Sequence, residues 1–256
     1  MDNSVLRVEN LSVRRNGQLV VDGVNFELLN ESDTALVGPN GAGKSSLVAA
    51  VLGLLPRQTG EVWVLGHRLG PAGELPHEVR SRIAYLPQTF ELQGRFPLSV
   101  AEFVAFGFDP PGPRLPWHNR SKRRAAVLVA LARSGSSHLG AKLLSELSGG
   151  ELKRVLLAFC VVRPRKLLLL DEAQAGLDAP ATEQFQELLL QLRRQEGWTV
   201  LQVSHDLEMV RRSCDQVLCL NRYLRCSGQP THALSPQRLA ELYGPNMVAY
   251  QHQHDA

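Results

Sequence analysis

The most constraining feature of this sequence is a glycine-rich stretch, GPNGAGKS, at residues 38–45. It follows the short apolar run 34–37 and precedes apolar residues at helical spacing, so a buried strand, a tight loop and a helix are expected in that order. Glycines let the backbone curl until several N–H groups point at one place, and Lys44 adds a positive charge there. The stretch therefore predicts a loop that holds the phosphates of a nucleotide.

Individual residues of this loop have expected roles. Lys44 is expected to reach the β- and γ-phosphates, and Ser45 to supply an oxygen to Mg²⁺, which prefers hard ligands. The predicted nucleotide contacts of the loop are Gly38, Pro39, Asn40, Gly41, Ala42, Gly43, Lys44, Ser45 and Ser46.

Strands are predicted on both sides of a helical block. The predicted strands cover residues 5–13, 18–28, 34–37, 61–65, 83–86, 167–170 and 199–203, with an Asn16-Gly17 turn between the first two. Predicted helices cover residues 44–55, 122–133 and 181–195, and the block 98–160 is helical apart from a proline-rich loop at 109–116. Because the last two strands are mostly apolar and lack charged residues, they are expected to be buried and parallel. The order indicates an α/β core that is interrupted by a helical insertion and then resumes.

Acidic and polar residues follow several of these strands. Asp171 and Glu172 end the run 167–170, and acids at the tip of a buried parallel strand lie at the ligand-binding edge of the sheet. Asp171 is expected to hold Mg²⁺ and Glu172 to polarise the attacking water; the alternative is a pair of solvated acids. His205 and Gln88 follow two other strands, where His205 would bond a γ-phosphate and Gln88 would touch the metal or the water.

A second predicted anion-binding site begins at Ser148. In SGGE, residues 148–151, Ser148 is expected to cap a helix while Glu151 reaches back to the cap amide. Capping does not require the two glycines, Gly149 and Gly150, between them. They leave the helix N–H groups uncovered, which suits an anion.

Composition narrows the class of protein. The 256 residues are 44% hydrophobic and 21% charged, typical of a globular chain with ample core. A net charge of +3 gives no case for nucleic-acid binding, and the basic stretch 120–124 is interpreted as a solvated helix start. No apolar run approaches the ~18 residues of a membrane span, and the N-terminus does not resemble a signal peptide. Any work at a membrane is expected to occur by docking.

The four cysteines show no CxxC spacing. Cys160 and Cys219 lie in apolar runs and are interpreted as small core residues, whereas Cys214 and Cys226 suggest no motif. This usage indicates a reducing cytoplasm.

Taken in order, these motifs resemble the ATP-binding subunits of ABC transporters over residues 5–228. The matching segments are the P-loop at 38–45, Gln88, LSGGE at 147–151, Asp171-Glu172, AGLD at 175–178, and His205. The resemblance implies a P-loop NTPase (RecA-like) core with an N-terminal antiparallel β subdomain and an inserted α-helical subdomain. It divides the chain into one ATPase domain, 1–228, with core segments 1–90 and 161–228 and the insertion at about 91–160, and a tail at 229–256.

The resemblance also implies that two copies pack head to tail. Each ATP then lies between one copy's P-loop and the other copy's LSGGE segment, with Ser148, Gly149 and Gly150 at the nucleotide and Asp178 at the dimer seam. Catalysis is assigned by the resemblance to Glu172, His205 and Gln88, and Mg²⁺ binding to Ser45, Gln88 and Asp171. Gln88 would lie at the hinge to the helical lobe, whose surface receives a membrane subunit.

Two residues depart from the family's usual pattern. Ala173 stands where a proline usually follows the catalytic glutamate, with little expected effect on the chemistry. Arg15 stands where an aromatic residue usually stacks on adenine, and a guanidinium plane is expected to stack there instead.

Within the family, the segment 217–230 resembles ATPases of bacterial metal importers. ELYGP at 241–245 and the terminal YQHQHDA resemble the zinc importers in particular. His252, His254 and Asp255 suit Zn²⁺, although the alternative is a polar tail without a role. The resemblance implies a peripheral protein on the cytoplasmic face of the inner membrane, working with a permease and a periplasmic metal-binding protein.

Several rival functions stay open at this point. Import of manganese or of an iron chelate is an alternative within the family. A soluble ABC ATPase acting on DNA or ribosomes usually carries coiled-coil insertions or a second cassette, for which this chain has no room. A small-molecule kinase would leave the LSGGE segment unexplained.

Overall fold

The computed structural model describes residues 3–88, 90, 97–109 and 119–244. Its strands are β1 (Ser4–Arg15), β2 (Gln18–Leu29), β3 (Asp33–Val37), β4 (Thr59–Val64), β5 (His67–Arg68), β6 (Ile83–Leu86), β7 (Leu167–Asp171), β8 (Thr199–Val203), β9 (Gln216–Asn221) and β10 (Tyr223–Gly228). Its α-helices are α1 (Lys44–Val51), α2 (His77–Arg80), α3 (Val100–Phe108), α4 (Arg120–Arg133), α5 (Gly149–Val161), α6 (Ala179–Glu196), α7 (Leu207–Ser213), α8 (Pro230–Ala233) and α9 (Pro236–Tyr243). All seven predicted strands and the three predicted helices are present, and no end is shifted by more than four residues.

One sheet is antiparallel and has the order β2-β1-β4-β5. The predicted turn at Asn16-Gly17 joins β1 to β2, since Arg15 pairs with Gln18 and both turn residues have positive φ. Apolar side chains alternate along β2 at Val24, Phe26 and Leu28, all of which are buried. The predicted antiparallel N-terminal unit is therefore confirmed.

The other sheet has the order β10-β9-β3-β8-β7-β6, and its strands are parallel except for β10. Every residue of β3, β7 and β8 is buried, which explains why their sequences lack polar alternation. Because these strands are parallel, their carboxyl ends meet at one edge, directly before the polar residues singled out in the sequence.

The faces of the parallel sheet are covered differently. Leu167 and Leu169 of β7 pack in one core cluster with helix α1 and the antiparallel sheet. Leu168 and Leu170 pack on the opposite face with helices α3, α4, α5 and α6. The sheet thus separates the P-loop helix from the helical block.

The helical block follows the predicted plan. Helices α3, α4 and α5 pack on one another, the predicted capping box of Ser148 with Glu151 is present, and a second one forms at Ser99 with Glu102. The basic stretch 120–124 forms the mostly exposed start of α4, as predicted. Of the predicted proline-rich loop, only Asp109 lies within the described residues.

The segment after Gly228 differs from the irregular tail that was predicted. Helices α8 and α9 form there, and Leu234 and Leu242 are buried in a cluster with Val37 of β3. Short helices that begin with proline and hold few apolar residues give little periodicity, so packing on the core decides their structure. The predicted metal-binding residues His252, His254 and Asp255 lie outside the described residues.

Cys219 and Cys226 form a disulfide that was not predicted from the sequence. Cys219 of β9 is buried as expected, but its sulfur is bonded to that of Cys226 on β10. The antiparallel pairing places these residues opposite each other although seven positions separate them in sequence. Cysteine usage therefore no longer supports a reducing compartment, while Cys160 and Cys214 are free and buried.

Among the helices within the described ranges, none combines the length and the apolar character that crossing a membrane requires.

Candidate nucleotide-binding site

The carboxyl edge of the parallel sheet brings together the predicted site residues. Gly38 follows β3, Gln88 follows β6, Glu172 follows β7 and His205 follows β8. These strands are neighbours in the sheet order β3-β8-β7-β6, so groups that are far apart in sequence converge at one cleft.

The P-loop (residues 38–45) needs glycine at two positions for reasons internal to this chain. A Cβ on Gly38 would lie 2.0 Å from the carbonyl oxygen of Leu220, and one on Gly43 would lie 2.3 Å from that of Val20. Both glycines also have positive φ, of 154° and 96°. The loop is thus clamped between β2 and the β9–β10 hairpin.

Lys44 lies at the first turn of α1 with 6% of its surface exposed. Its ammonium donates hydrogen bonds to the carbonyl oxygens of Gly38 at 2.8 Å and Pro39 at 3.0 Å. Burial lowers the pKa of Lys44, whereas the charges of Glu172 and Asp171 oppose that shift. These hydrogen bonds hold the ammonium over the loop, in the place where it would contact the phosphates of a bound nucleotide.

Ser45 and Asp171 form a pair of hard oxygen ligands. The Ser45 hydroxyl donates to Asp171 Oδ1 at 3.1 Å, and Asp171 is 4% exposed. Burial raises the pKa of the Asp171 carboxyl, and the hydrogen bond from Ser45 opposes that shift. A buried carboxylate next to a hydroxyl fits Mg²⁺, which takes few protein ligands and keeps waters and phosphate oxygens as the rest.

Glu172 is held from both sides. Gln88 Nε2 donates to Glu172 Oε2 at 2.6 Å, and His205 Nε2 lies 2.5 Å from Glu172 Oε1. Its φ of 47° is uncommon for a residue with a side chain and turns the carboxylate out of the strand. The structure therefore unites Gln88, Glu172 and His205, three residues for which the sequence offered only separate signals.

These groups line one cleft of about 650 Å³. Its lining residues are Arg15, Val20, Asn40, Gly41, Ala42, Gly43, Lys44, Ser45, Ser46, Gln88, Glu172 and His205. The volume lies within the range of small-molecule sites. Arg15 and Val20 come from the antiparallel sheet, so the cleft lies between the two sheets.

The LSGGE segment (residues 147–151, hereafter the signature segment) starts helix α5 as predicted. The Glu151 amide donates to the Ser148 hydroxyl at 3.3 Å, and the Ser148 amide donates to Glu151 Oε2 at 2.8 Å. That backbone bond from Ser148, together with Lys142, lowers the pKa of Glu151 to about 2. Asp178 caps helix α6 by accepting from the Ala181 amide at 2.9 Å.

The signature segment and Asp178 border a separate depression of about 400 Å³. Ser148, Gly149, Gly150 and Asp178 all line it, and it shares no lining residue with the P-loop cleft. The structure therefore divides the predicted nucleotide contacts between two sites on one chain.

Two residues near the nucleotide cleft were not predicted from the sequence. Val20 lines the cleft, and Tyr85 lies on the strand next to Asp171, where burial and then the Asp171 carboxylate raise its pKa to about 12. Val20 carries no signal that separates it from other strand residues. Tyr85 is the one polar side chain in the run IAYL at 83–86, and that exception was the available signal.

The sequence matches the family described as "ABC transporter" over residues 21–175. It is 37% identical over 258 aligned positions to the zinc import ATP-binding protein ZnuC of Pseudomonas aeruginosa, an alignment that covers all of this chain and 87% of that protein. It is 36% identical to the ZnuC protein of Pseudomonas fluorescens, covering all of this chain and 89% of that one.

Solved structures share the fold. CbiO1 of Clostridium perfringens, part of the ABC transporter complex cbiONQ, aligns with a TM-score of 0.78 at 27% identity over 94% of each chain. MJ1267, an ATP-binding cassette of an ABC transporter in its ADP conformation, aligns with a TM-score of 0.80 at 24% identity over 93% of this chain and 98% of that one. The predicted nucleotide-binding α/β fold is thereby confirmed.

Proposed function

This chain belongs to the ABC transporter family as an ATP-binding subunit, and on that premise we propose that it hydrolyses ATP to drive zinc import. The observation that carries the ATPase assignment is the presence of Lys44 and Glu172 in one cleft, with Asp171 hydrogen-bonded to Ser45, which lines the same cleft. Those groups supply a phosphate-binding cation, a metal-binding carboxylate and a second carboxylate facing the cleft.

In the proposed mechanism, Lys44 and the P-loop amides bind the β- and γ-phosphates. Ser45 and Asp171 would hold Mg²⁺ with Gln88 beside it, and the ion would supply positive charge at the phosphates. Ser45 already lies 3.1 Å from Asp171, so a small rotation of either side chain presents both oxygens to one ion.

Glu172 is the proposed general base. Its carboxylate accepts hydrogen bonds from its neighbours Gln88 and His205, and a water that replaces either partner would be oriented for in-line attack. His205 would donate a hydrogen bond to the γ-phosphate. Gln88 would link the conformation of the helical block to the geometry of the site. Gln88 and His205 are exposed, so bulk water is excluded from the site only when a second surface covers them.

We propose that a second copy of the chain covers the nucleotide cleft. The signature segment presents a helix N-terminus without side chains at Gly149 and Gly150, but its own P-loop cleft contains none of these residues. In a head-to-tail dimer, Ser148, Gly149 and Gly150 of one copy would contact the γ-phosphate bound by the other, with Asp178 at the seam.

Room at the signature glycines supports this arrangement. A Cβ on Gly149 would lie 3.6 Å from Leu177, and one on Gly150 would lie 3.6 Å from Ala181, both at ordinary contact distance. Packing within the isolated chain therefore does not require glycine at either position, whereas the close approach of a ligand would require it.

Arg15 is the proposed contact for adenine. It is exposed and lines the same cleft as the P-loop, on the side formed by β1. A guanidinium plane stacks on a base as an aromatic ring does, so the departure from the family's usual residue is compatible with nucleotide binding.

The remaining partners follow from the family. We infer a permease in the bacterial inner membrane, on whose cytoplasmic face this subunit docks peripherally, and a periplasmic protein that delivers the metal. Zinc is the proposed cargo because the relatives named above are zinc import proteins. Manganese and iron chelates are the alternative cargoes, and nothing in the net charge of +3 favours nucleic acid.

Reconstitution with the membrane subunit tests the cargo. The complex in proteoliposomes is assayed for ATP hydrolysis with the delivery protein loaded with zinc, loaded with manganese, or metal-free. Zinc should stimulate hydrolysis most. Equal or greater stimulation by manganese contradicts the zinc assignment, and no Mg²⁺-dependent hydrolysis in any arm contradicts the ATPase assignment.

Complementation between two inactive variants tests the shared site. Lys44→Ala and Ser148→Arg should each be inactive alone, yet an equal mixture should regain up to about a quarter of the wild-type rate, because half the dimers are mixed and each retains one intact site. An inactive mixture, with dimers present by light scattering, contradicts the head-to-tail arrangement.

A further inference from the structure

We propose that Tyr85 is a positioning residue for the metal site, holding the Asp171 carboxylate in the orientation that receives Mg²⁺. The inference deepens the proposed function and rests on it. Nothing in the family match or in the motifs of the chain assigns a role to this tyrosine.

The strand register puts Tyr85 on the correct face of the sheet. Strands β6 and β7 are parallel neighbours, and Tyr85 pairs with Leu169. Side chains two residues apart on a strand point to the same face, so Leu169 and Asp171 share a face with Tyr85. That face is the one covered by α1, since Tyr85 and Leu169 pack in the same core cluster as Leu47.

The Tyr85 hydroxyl reaches the carboxylate along the strand direction. Asp171 lies diagonally across from Tyr85 on the neighbouring strand, a separation that an aromatic side chain spans, and a phenol at neutral pH is the donor to a carboxylate. Burial, and after it the Asp171 carboxylate, raise the pKa of Tyr85 to about 12. Asp171 accepts from the Ser45 hydroxyl at 3.1 Å, and the register offers it the Tyr85 hydroxyl as a second donor. The aromatic ring is half-buried against the apolar cluster, which restricts its movement.

The two hydroxyls differ in what metal binding does to them. Ser45 would itself become a ligand through a lone pair of its oxygen, so the ion would set the position of that hydroxyl. Tyr85 is on a different strand and is not among the residues that line the cleft, so its bond would persist. It would hold one carboxylate orientation before and after the ion arrives, which reduces the conformational cost of binding.

Substitution of Tyr85 by phenylalanine isolates the hydroxyl. The ring and its packing are kept, so the protein should fold with an unchanged melting temperature. The half-saturating Mg²⁺ concentration for ATP hydrolysis should rise about 5- to 20-fold, in line with losses on removing groups that orient metal ligands. The maximal rate at saturating Mg²⁺ should change less than twofold.

A binding measurement supplies a readout besides activity. The affinity for a fluorescent ATP analogue is measured with Mg²⁺ and with EDTA. Tyr85→Phe should weaken binding with Mg²⁺ but leave binding in EDTA unchanged, since the P-loop is intact. The matched control is Tyr223→Phe, which removes the same hydroxyl from a 42% exposed side chain on β10 and should alter neither value.

A double-mutant comparison tests the route through Asp171. In an Asp171→Asn background, which weakens the metal site, Tyr85→Phe should have little further effect on Mg²⁺-dependent binding. An unshifted Mg²⁺ requirement in Tyr85→Phe, in a wild-type protein that hydrolyses ATP, overturns the role of Tyr85 alone. A wild-type protein whose nucleotide binding ignores Mg²⁺ overturns the proposed function as well.

Discussion

Two glycine-rich helix starts in this molecule, the P-loop at α1 and the signature segment at α5, differ in what surrounds them. Around the P-loop, the chain itself supplies a lysine, two carboxylates, an amide and an imidazole. Around the signature segment, the chain supplies a capping box and a shallow depression. The first site contains the groups that phosphate chemistry needs, whereas the second contains only a helix start and a depression.

The glycines of the P-loop and of the signature segment show the same difference. A methyl group added at Gly38 or Gly43 would lie 2.0 Å or 2.3 Å from a backbone carbonyl oxygen, so the fold itself needs these glycines. At Gly149 and Gly150 the fold tolerates a methyl group. The proposed dimer would give Gly149 and Gly150 a role, because the nucleotide of a second copy would approach them closely.

The largest expected effect is at the P-loop cleft. Glu172→Gln should lower ATP turnover about 10³-fold, because the amide cannot accept the proton from water. ATP binding should be retained, and the ATP-bound dimer should accumulate. Light scattering with ATP measures the dimer, and a monomer under those conditions contradicts the scheme.

A nearly equal effect is expected at the signature segment. Ser148→Arg should lower turnover at least about 10²-fold by filling the space that a γ-phosphate needs, although the P-loop cleft of the same chain is untouched. Nucleotide affinity of the monomer should stay within twofold of wild type, as measured with a fluorescent analogue. Undiminished turnover would show that the signature segment does not contact the nucleotide.

Stability should separate the two sets of glycines. Gly43→Ala should lower the free energy of unfolding by about 3 kcal/mol, since it forces positive φ and a backbone clash. Gly149→Ala, in the first turn of α5, should change it by at most about 1 kcal/mol and in the stabilising direction. Denaturant unfolding measures both, and equal losses would remove the distinction between the two sets.

A loss of stability smaller than that of Gly43→Ala is expected at the hairpin that contacts the P-loop. The β9–β10 hairpin contacts the loop, since the Arg222 amide donates to the Ala42 carbonyl at 2.9 Å, and Cys219–Cys226 crosslinks that hairpin. Cys226→Ser should cost about 2 kcal/mol of stability, the usual value for a short closed loop. Wild-type protein in reducing agent should match the variant in thermal unfolding. Cys214→Ser, which keeps the crosslink, should lose stability in reducing agent by the same amount as wild type.

Much of the nucleotide site was accessible from the sequence because its signals are local. The P-loop pattern, the strand that precedes it and the cap of α5 each depend on residues within about ten positions of one another. Apolar runs ending in Asp171-Glu172 and Ser204-His205 then indicate strand ends on one edge. Gln88 was weaker, since a lone amide after a strand carries no pattern of its own.

Contacts between distant segments were not accessible in this way. Arg165, for example, is 6% exposed and donates to the carbonyl oxygens of Gly107 in α3 and Ile83 in β6, so it joins the helical block to the core. Nothing in the stretch around it predicts those partners. The pairing of Cys219 with Cys226 likewise depends on the strand register.

The sequence by itself determined the nucleotide chemistry of this protein, its α/β plan and the presence of two helix starts suited to anions, because loops and periodic patterns act over short range. Only the tertiary structure decided which side chains hydrogen-bond to Glu172 and that Tyr85 lies on the strand next to Asp171. It also decided that α8 and α9 pack on the core and that Cys219 and Cys226 form a disulfide. The physical reason is that strand order and register bring together residues that are more than eighty positions apart, as with Gln88 and Glu172.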